Sequence, residues 1–153
     1  MKLSKETFIL IISLSIVGLV GVYSDFFLSL NAYKINPTYF VKYETNQEIV
    51  NFFSTGEFPI IFLYTVIAFP FIIFLFLYKI DKYKDFKYRK DYVISVCAFV
   101  YLTTFTRISA GLTWYYPTNT IMFWLQAFAF ISLGFVVCFG YILHKEAKNE
   151  SKN

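Results

Sequence analysis

The sequence predicts an all-α integral membrane protein, a bundle of four transmembrane helices with both termini in the cytoplasm. Hydrophobic residues make up 58% of the 153 residues, which is too apolar for a soluble domain. They are gathered in four windows long enough for a helix to cross a bilayer, at residues 7–24, 59–78, 92–114 and 120–143. We therefore expect residues 1–144 to form a single transmembrane domain and residues 145–153 a polar cytoplasmic tail.

The basic residues sort by side of the membrane when the four windows are taken as spans. Those of one side lie near the N-terminus, in the loop 79–91 and in the tail: Lys2, Lys5, Lys79, Lys82, Lys84, Lys87, Arg89, Lys90, Lys145, Lys148 and Lys152. Only Lys34 and Lys42 fall on the other side. Because cytoplasmic loops carry the excess of lysine and arginine, this pattern predicts a multi-pass protein of the cell membrane with both ends inside.

The first window is interpreted as an uncleaved span. Lys2 and Lys5 precede an apolar run, as in a signal peptide, but the residues 21–24 are a poor cleavage site. A long outer segment, residues 25–58, then leads to the second window.

This outer segment is predicted to contain ordered structure. Asn36-Pro37 is typical of a turn. The run Thr45-Asn46-Gln47-Glu48 has the spacing of a capping box, which predicts a short amphipathic helix with Thr45 as its cap. This helix should end near Gly56, with its apolar face on the membrane surface or over the bundle.

Two prolines and one short turn predict further features of the remaining windows. Pro59 opens the second window at the first-turn position that proline tolerates best, and Pro70 should bend that helix near its middle. The turn 115–119 between the third and fourth windows is so short that these two helices should be antiparallel neighbours.

Arg107 is the only charged residue inside the four windows. A charge near the centre of a membrane helix costs roughly 2.5–3.5 kcal/mol unless a partner offsets it. The residue should lie about 10 Å below the outer boundary, given the helical rise of 1.5 Å per residue. Small and polar residues share its helix face, which should therefore point toward protein: Thr103, Thr106, Ala110, Thr113 and Trp114.

The partner of Arg107 defines the candidate site. Asp25 is the leading counter-charge, Glu44 is a second, and Gln126 on the fourth window is a neutral candidate; Glu48 and Glu57 are further acids of the outer segment. In one hypothesis, Arg107 and an acid form a structural ion pair that fixes helix order. In another, Arg107 holds an anionic ligand, and further residues supply hydroxyls and an aromatic wall: Thr106, Thr113, Trp114 and Tyr115. A third possibility is contact with another protein's membrane helix.

Several classes of function receive no support from the sequence. There is no glycine-rich phosphate loop or nucleophile elbow, and His144 is the sole histidine, so we expect neither a cofactor nor a metal site. The loop 79–91 interleaves basic and aromatic residues. Beside a membrane this pattern favours anionic lipids over nucleic acid.

We therefore expect a non-enzymatic binding or accessory subunit that acts through helix–helix contacts, in a homo-oligomer or with other membrane-protein subunits. Membrane lipids are its remaining expected partners. One alternative is a small oligomeric transporter or channel for an anionic solute, lined by Arg107. Another is an enzyme acting on lipid at the outer leaflet, with Asp25 or Glu44 as base and Arg107 as a phosphate clamp.

Overall fold

The computed structural model describes residues 3–44, 46–56, 60–78, 80–83, 85–116 and 119–150, without the side chains of residues 60–65 and 150. Regular secondary structure in these ranges is helical. The helices are α1 (Lys5–Ile35), α2 (Pro37–Tyr43), α3 (Gln47–Thr55), α4 (Ile60–Leu77), α5 (Arg89–Leu112) and α6 (Asn119–Glu150), with a short 3₁₀ turn at Ile80–Tyr83.

Three helices in the described part of the chain are long and apolar enough to cross a membrane: α1, α5 and α6. They contain most of the first, third and fourth predicted windows. The predicted class, an all-α membrane protein, is confirmed at this level.

Helix α1 is longer than the first predicted window. Ser4 caps its N-terminus, and the helix continues past Ser24 to Ile35, where Asn36 and Pro37 stop it. No glycine or proline interrupts residues 25–35, so nothing in this stretch opposes helix propagation. Asp25, which the sequence placed at the end of a span, therefore lies inside α1.

The rest of the outer segment forms α2 and α3. The Asn36 side chain accepts a hydrogen bond from the Tyr39 backbone N–H and so starts α2. The Asn46 side chain starts α3 in the same way, because it accepts hydrogen bonds from the backbone N–H groups of Glu48 and Ile49. Thr45, the predicted cap, lies outside the described residues, and the cap of α3 in the structure is Asn46. Gly56 ends α3 with φ 80°, a left-handed conformation that glycine adopts without strain.

These two short helices pack back against the extension of α1. Phe40 of α2 is fully buried, with its ring 5.7 Å from that of Tyr33 and 5.5 Å from that of Phe53. Phe26 of α1 contacts the ring of Phe53 as well. An aromatic cluster thus holds α2 and α3 on one end of the bundle.

Helix α4 runs antiparallel to α1. The ring of Phe69 lies directly on Gly18, where a side chain on α1 would collide with it. Beyond the end of α4, Asp81 accepts hydrogen bonds from the backbone N–H of Ser4 (2.6 Å), the Ser4 hydroxyl (2.9 Å) and the Thr7 hydroxyl (2.7 Å). This carboxylate joins the start of α1 to the turn after α4.

Helix α5 runs parallel to α1, and α6 runs antiparallel to α5. Thr104 of α5 lies against Gly21 of α1, and Gly111 of α5 lies against Leu28 of α1. The contacts follow the same order along both helices. The rings of Tyr88 and Phe139 stack at the end of the α5–α6 pair that is away from the turn joining the two helices. The four long helices α1, α4, α5 and α6 share one core. Its aliphatic residues are Ile11, Leu14, Ile73, Leu77, Val96, Val100, Val136 and Leu143.

Helix α6 continues beyond the fourth predicted window to Glu150. Residues 145–150, predicted as a polar tail, are therefore helical. The run Lys145-Glu146-Ala147-Lys148 contains strong helix formers and no breaker, so the helix continues after its apolar part ends.

Candidate functional site

Close packing of α1 against α5 positions the candidate site. The Thr104 hydroxyl donates to the Val17 carbonyl oxygen across the interface (3.2 Å), and the backbone of Thr104 lies next to Gly21. One turn beyond Arg107, Gly111 lies against Leu28. Because small residues on both sides of Arg107 bring the two backbones together, the side chain of Arg107 must emerge beside α1.

Arg107 and Asp25 form an ion pair at this point. The Arg107 Nη1 atom lies 3.6 Å from the Asp25 Oδ2 atom, and the two side chains are 51% and 25% exposed. The distance is longer than that of a charge-assisted hydrogen bond, and half of the Arg107 side chain remains free of protein contact. The pair therefore leaves guanidinium surface available on one side.

That free surface faces a cleft of about 610 Å³, within the size range of small-molecule sites. Helices α1, α2, α3, α5 and α6 contribute to its walls, together with the connection between α2 and α3. The lining residues are Val22, Asp25, Phe26, Ser29, Tyr39, Tyr43, Glu44, Asn46, Ile49, Arg107, Ala110, Thr113, Trp114, Asn119 and Met122.

Aromatic rings form one side of the cleft. The centroid of the Tyr39 ring lies 4.5 Å from that of Tyr43 and 6.4 Å from that of Trp114. Trp114 is held in place by stacking on the buried Phe40, with centroids 4.5 Å apart. Tyr115, an expected wall residue, does not line the cleft; its hydroxyl donates to the Leu28 carbonyl oxygen (3.0 Å).

Glu44 supplies the second carboxylate of the cleft. Its Oε1 atom accepts a hydrogen bond from the Asn46 backbone N–H (2.8 Å). Its charge lies close enough to act on Asp25. In the described part of the chain Glu44 has no cationic partner within ion-pair distance.

The structure brings together five of the seven predicted site residues: Arg107, Asp25, Glu44, Thr113 and Trp114. Thr106 and Gln126 lie elsewhere. The Thr106 hydroxyl donates to the Leu102 carbonyl oxygen of its own helix (2.8 Å), and Gln126 is exposed on α6.

Sequence reasoning missed Tyr39 and Tyr43. Their spacing of four residues after Pro37 is the one available signal, since it places both rings on the same face of a short helix. Which way that face points depends on how α2 folds back on α1.

No three histidine, cysteine, aspartate or glutamate side chains gather as a possible metal site within the described ranges. Comparison with known proteins gives no relative: no family model, no curated protein and no solved structure matches the chain.

Proposed function

We propose that this chain is a four-span membrane protein with cytoplasmic termini, acting as a binding or accessory subunit that docks a membrane helix of a second subunit against α6. The observation that carries the proposal is an exposed amide, Gln126, on an apolar helix that packs against the bundle along one side only.

The direction of the helices supports a fourth span. Because α1 and α5 lie side by side and run parallel, the chain between them has to return across the same thickness. Helix α4 is antiparallel to α1, and its 18 residues carry no charge. At 1.5 Å per residue it is about 27 Å long, close to the roughly 30 Å of a bilayer's hydrocarbon core.

The environment of Gln126 supports docking at α6. This residue lies roughly two turns, or about 10 Å, along α6 from Asn119. Its side chain is exposed, and it hydrogen-bonds to no other described residue. Lipid tails offer no hydrogen-bonding group, so an amide at this depth is stabilised by a polar partner from another helix.

The residues around Gln126 suit close contact with such a helix. Phe123, Phe130 and Val137 are exposed on the same flank of α6. Gly134 lies among them, and a Cβ atom built there meets nothing within 4 Å. A partner backbone can approach closely at a glycine, and the flanking aromatic and branched side chains supply packing area.

The test is native mass spectrometry of the complex extracted from its own membrane in a mild detergent. We expect the wild-type protein to carry a second subunit. Gln126→Leu should bind that subunit about tenfold more weakly and lose it on extraction, because one interhelical hydrogen bond disappears. Phe128→Leu, on the opposite exposed side of α6, is the control and should keep the subunit.

The masses distinguish the forms that the complex can take. A foreign subunit supports the accessory role, and a second copy supports the self-associated form of the same contact. A wild-type protein that is monomeric in its own membrane, or a complex that Gln126→Leu leaves intact, contradicts the proposal.

A further inference from the structure

We infer that the cleft beside Arg107 binds a ligand through an ammonium group, in preference to an anion. This inference is independent of the contact proposed for α6, because none of the α6 flank residues 123, 126, 130, 134 and 137 lines the cleft.

The charges of the lining favour a cation. Arg107 contributes one positive charge, and Asp25 and Glu44 contribute two negative charges, which leaves −1 for the described side chains that line the cleft. Asp25 lies 3.6 Å from Arg107 and offsets its charge. The carboxylate of Glu44 is the charge that remains, and the partly enclosed site weakens its screening by water.

The aromatic wall favours the same kind of ligand. The faces of tyrosine and tryptophan rings carry negative electrostatic potential, and they attract a cation within about 6 Å of the ring centroid. Tyr39 and Trp114 present such rings to the cleft. Tyr43 already has the Lys42 ammonium 5.2 Å from its centroid, so a lysine of the chain makes the interaction that we propose for the ligand.

Glu44 and the rings belong to one connected unit. Tyr39 and Tyr43 lie on α2, and Glu44 directly follows its last residue. Trp114, in the turn that follows α5, meets this unit through its contact with Tyr39. A carboxylate next to converging aromatic rings is an arrangement that suits alkylammonium and quaternary ammonium groups.

Such a group has two sources, a lipid head group or an amine dissolved in the aqueous phase. The cleft volume of about 610 Å³ accommodates either. The chemistry recognised is the same in both cases, and the experiment below separates them.

The first arm of the test measures binding of soluble probes to delipidated protein in an uncharged detergent, by isothermal titration calorimetry. The probes are choline, tetramethylammonium and inorganic phosphate. We expect saturable binding of both ammonium ions and no competition by phosphate at equal ionic strength.

Matched variants connect the binding to the cleft. Glu44→Gln keeps the shape of the side chain but removes its charge, and we expect choline to bind about tenfold more weakly. Glu48→Gln changes an acid of the same segment that does not line the cleft and should bind choline like the wild type. Tyr39→Leu should weaken binding several-fold, whereas Tyr39→Phe, which keeps a ring, should not.

The second arm identifies bound lipid by mass spectrometry after mild extraction. A lipid with an ethanolamine or choline head group that the wild type retains and Glu44→Gln loses supports the inference and assigns the lipid source. Choline binding to delipidated protein without a retained lipid supports it and assigns the aqueous source.

Phosphate binding that Arg107→Gln abolishes, with no ammonium binding in either arm, overturns the inference in favour of an anion site. The absence of any ligand in both arms, with all variants folded, overturns it as well.

Discussion

At the scale of single residues, the exposure of Arg107 and its distance from Asp25 limit what their ion pair contributes to stability. A fully buried cation that loses its partner costs about 3–5 kcal/mol. Here the Arg107 side chain is half exposed and the two charges are 3.6 Å apart, so water can replace part of what Asp25 provides. The pair fixes the position of the guanidinium more than it stabilises the fold.

Replacing Asp25 with Asn should therefore destabilise the protein by about 1–2 kcal/mol, less than a closed ion pair would lose. The double variant Asp25→Leu with Arg107→Leu should recover most of this loss, since it removes both charges together. Thermal unfolding of the purified protein in detergent measures both effects.

Asp85→Asn serves as the control for that experiment, because Asp85 is an exposed carboxylate in the loop before α5. It should unfold like the wild type. A double variant that unfolds at a lower temperature than Asp25→Asn alone would show that the charges stabilise the helices beyond their effect on each other.

The charged residues of the candidate site and Trp114 were predictable from the sequence, whereas the two tyrosines of its aromatic side were not. A lone arginine within an apolar window requires a counter-charge, and Asp25 directly follows the first window at its predicted outer end. Tyr39 and Tyr43 give no such requirement, since tyrosines in an outer segment are equally compatible with a membrane boundary. Their role depends on how α2 packs, which no local pattern specifies.

At the scale of secondary-structure elements, the interface between α1 and α5 depends on glycine where two backbones meet. A Cβ atom at Gly21 would lie 2.9 Å from the Thr104 Cα atom, and a backbone atom cannot rotate out of the way. Gly18 and Gly21 lie three residues apart in the first window, a spacing that suggests close helix packing without identifying the partner helices. Gly18 faces Phe69 on α4, and Gly21 faces Thr104 on α5.

Gly21→Ala should consequently force α1 and α5 apart and destabilise the protein by about 1–3 kcal/mol. The matched change Gly134→Ala, in open space on α6, should leave the isolated chain as stable as the wild type or slightly more stable, since alanine favours the helix. Unfolding of the delipidated, monomeric protein compares the two, and equal unfolding temperatures would contradict the close contact at Gly21.

The element that differed most from expectation is α1. Hydropathy alone ends the predicted window at Ser24, because the charge of Asp25 interrupts the apolar run. Helix propagation follows backbone hydrogen bonding and the absence of breakers, and it therefore stops at Asn36-Pro37 instead. The length of a membrane span and the length of the helix that contains it are set by different physical limits.

At the scale of the whole molecule, α1 is the helix around which the others are arranged. It packs against α4 on one side and α5 on another, and α6 is attached mainly through α5. This arrangement explains why the most apolar window of α6 is only 11% buried, compared with 33% for that of α1. Among α1, α5 and α6, the window of α6 is therefore the least covered by the rest of the described chain.

The orientation of the molecule can be tested on a variant in which Cys97 and Cys138, the two cysteines of the chain, are replaced by Ala. Single cysteines are then introduced as Ser54→Cys in α3 and Lys82→Cys after α4, both at exposed positions. With α4 as a span and the basic loop inside, a membrane-impermeant maleimide should label intact cells at position 54 only, and at position 82 after permeabilisation. Labelling of both positions from one side would show that α4 does not cross, whereas labelling at position 82 alone would show that it crosses in the opposite orientation. The two results separate the number of spans from their direction, because positions 54 and 82 have α4 as the long apolar helix between them.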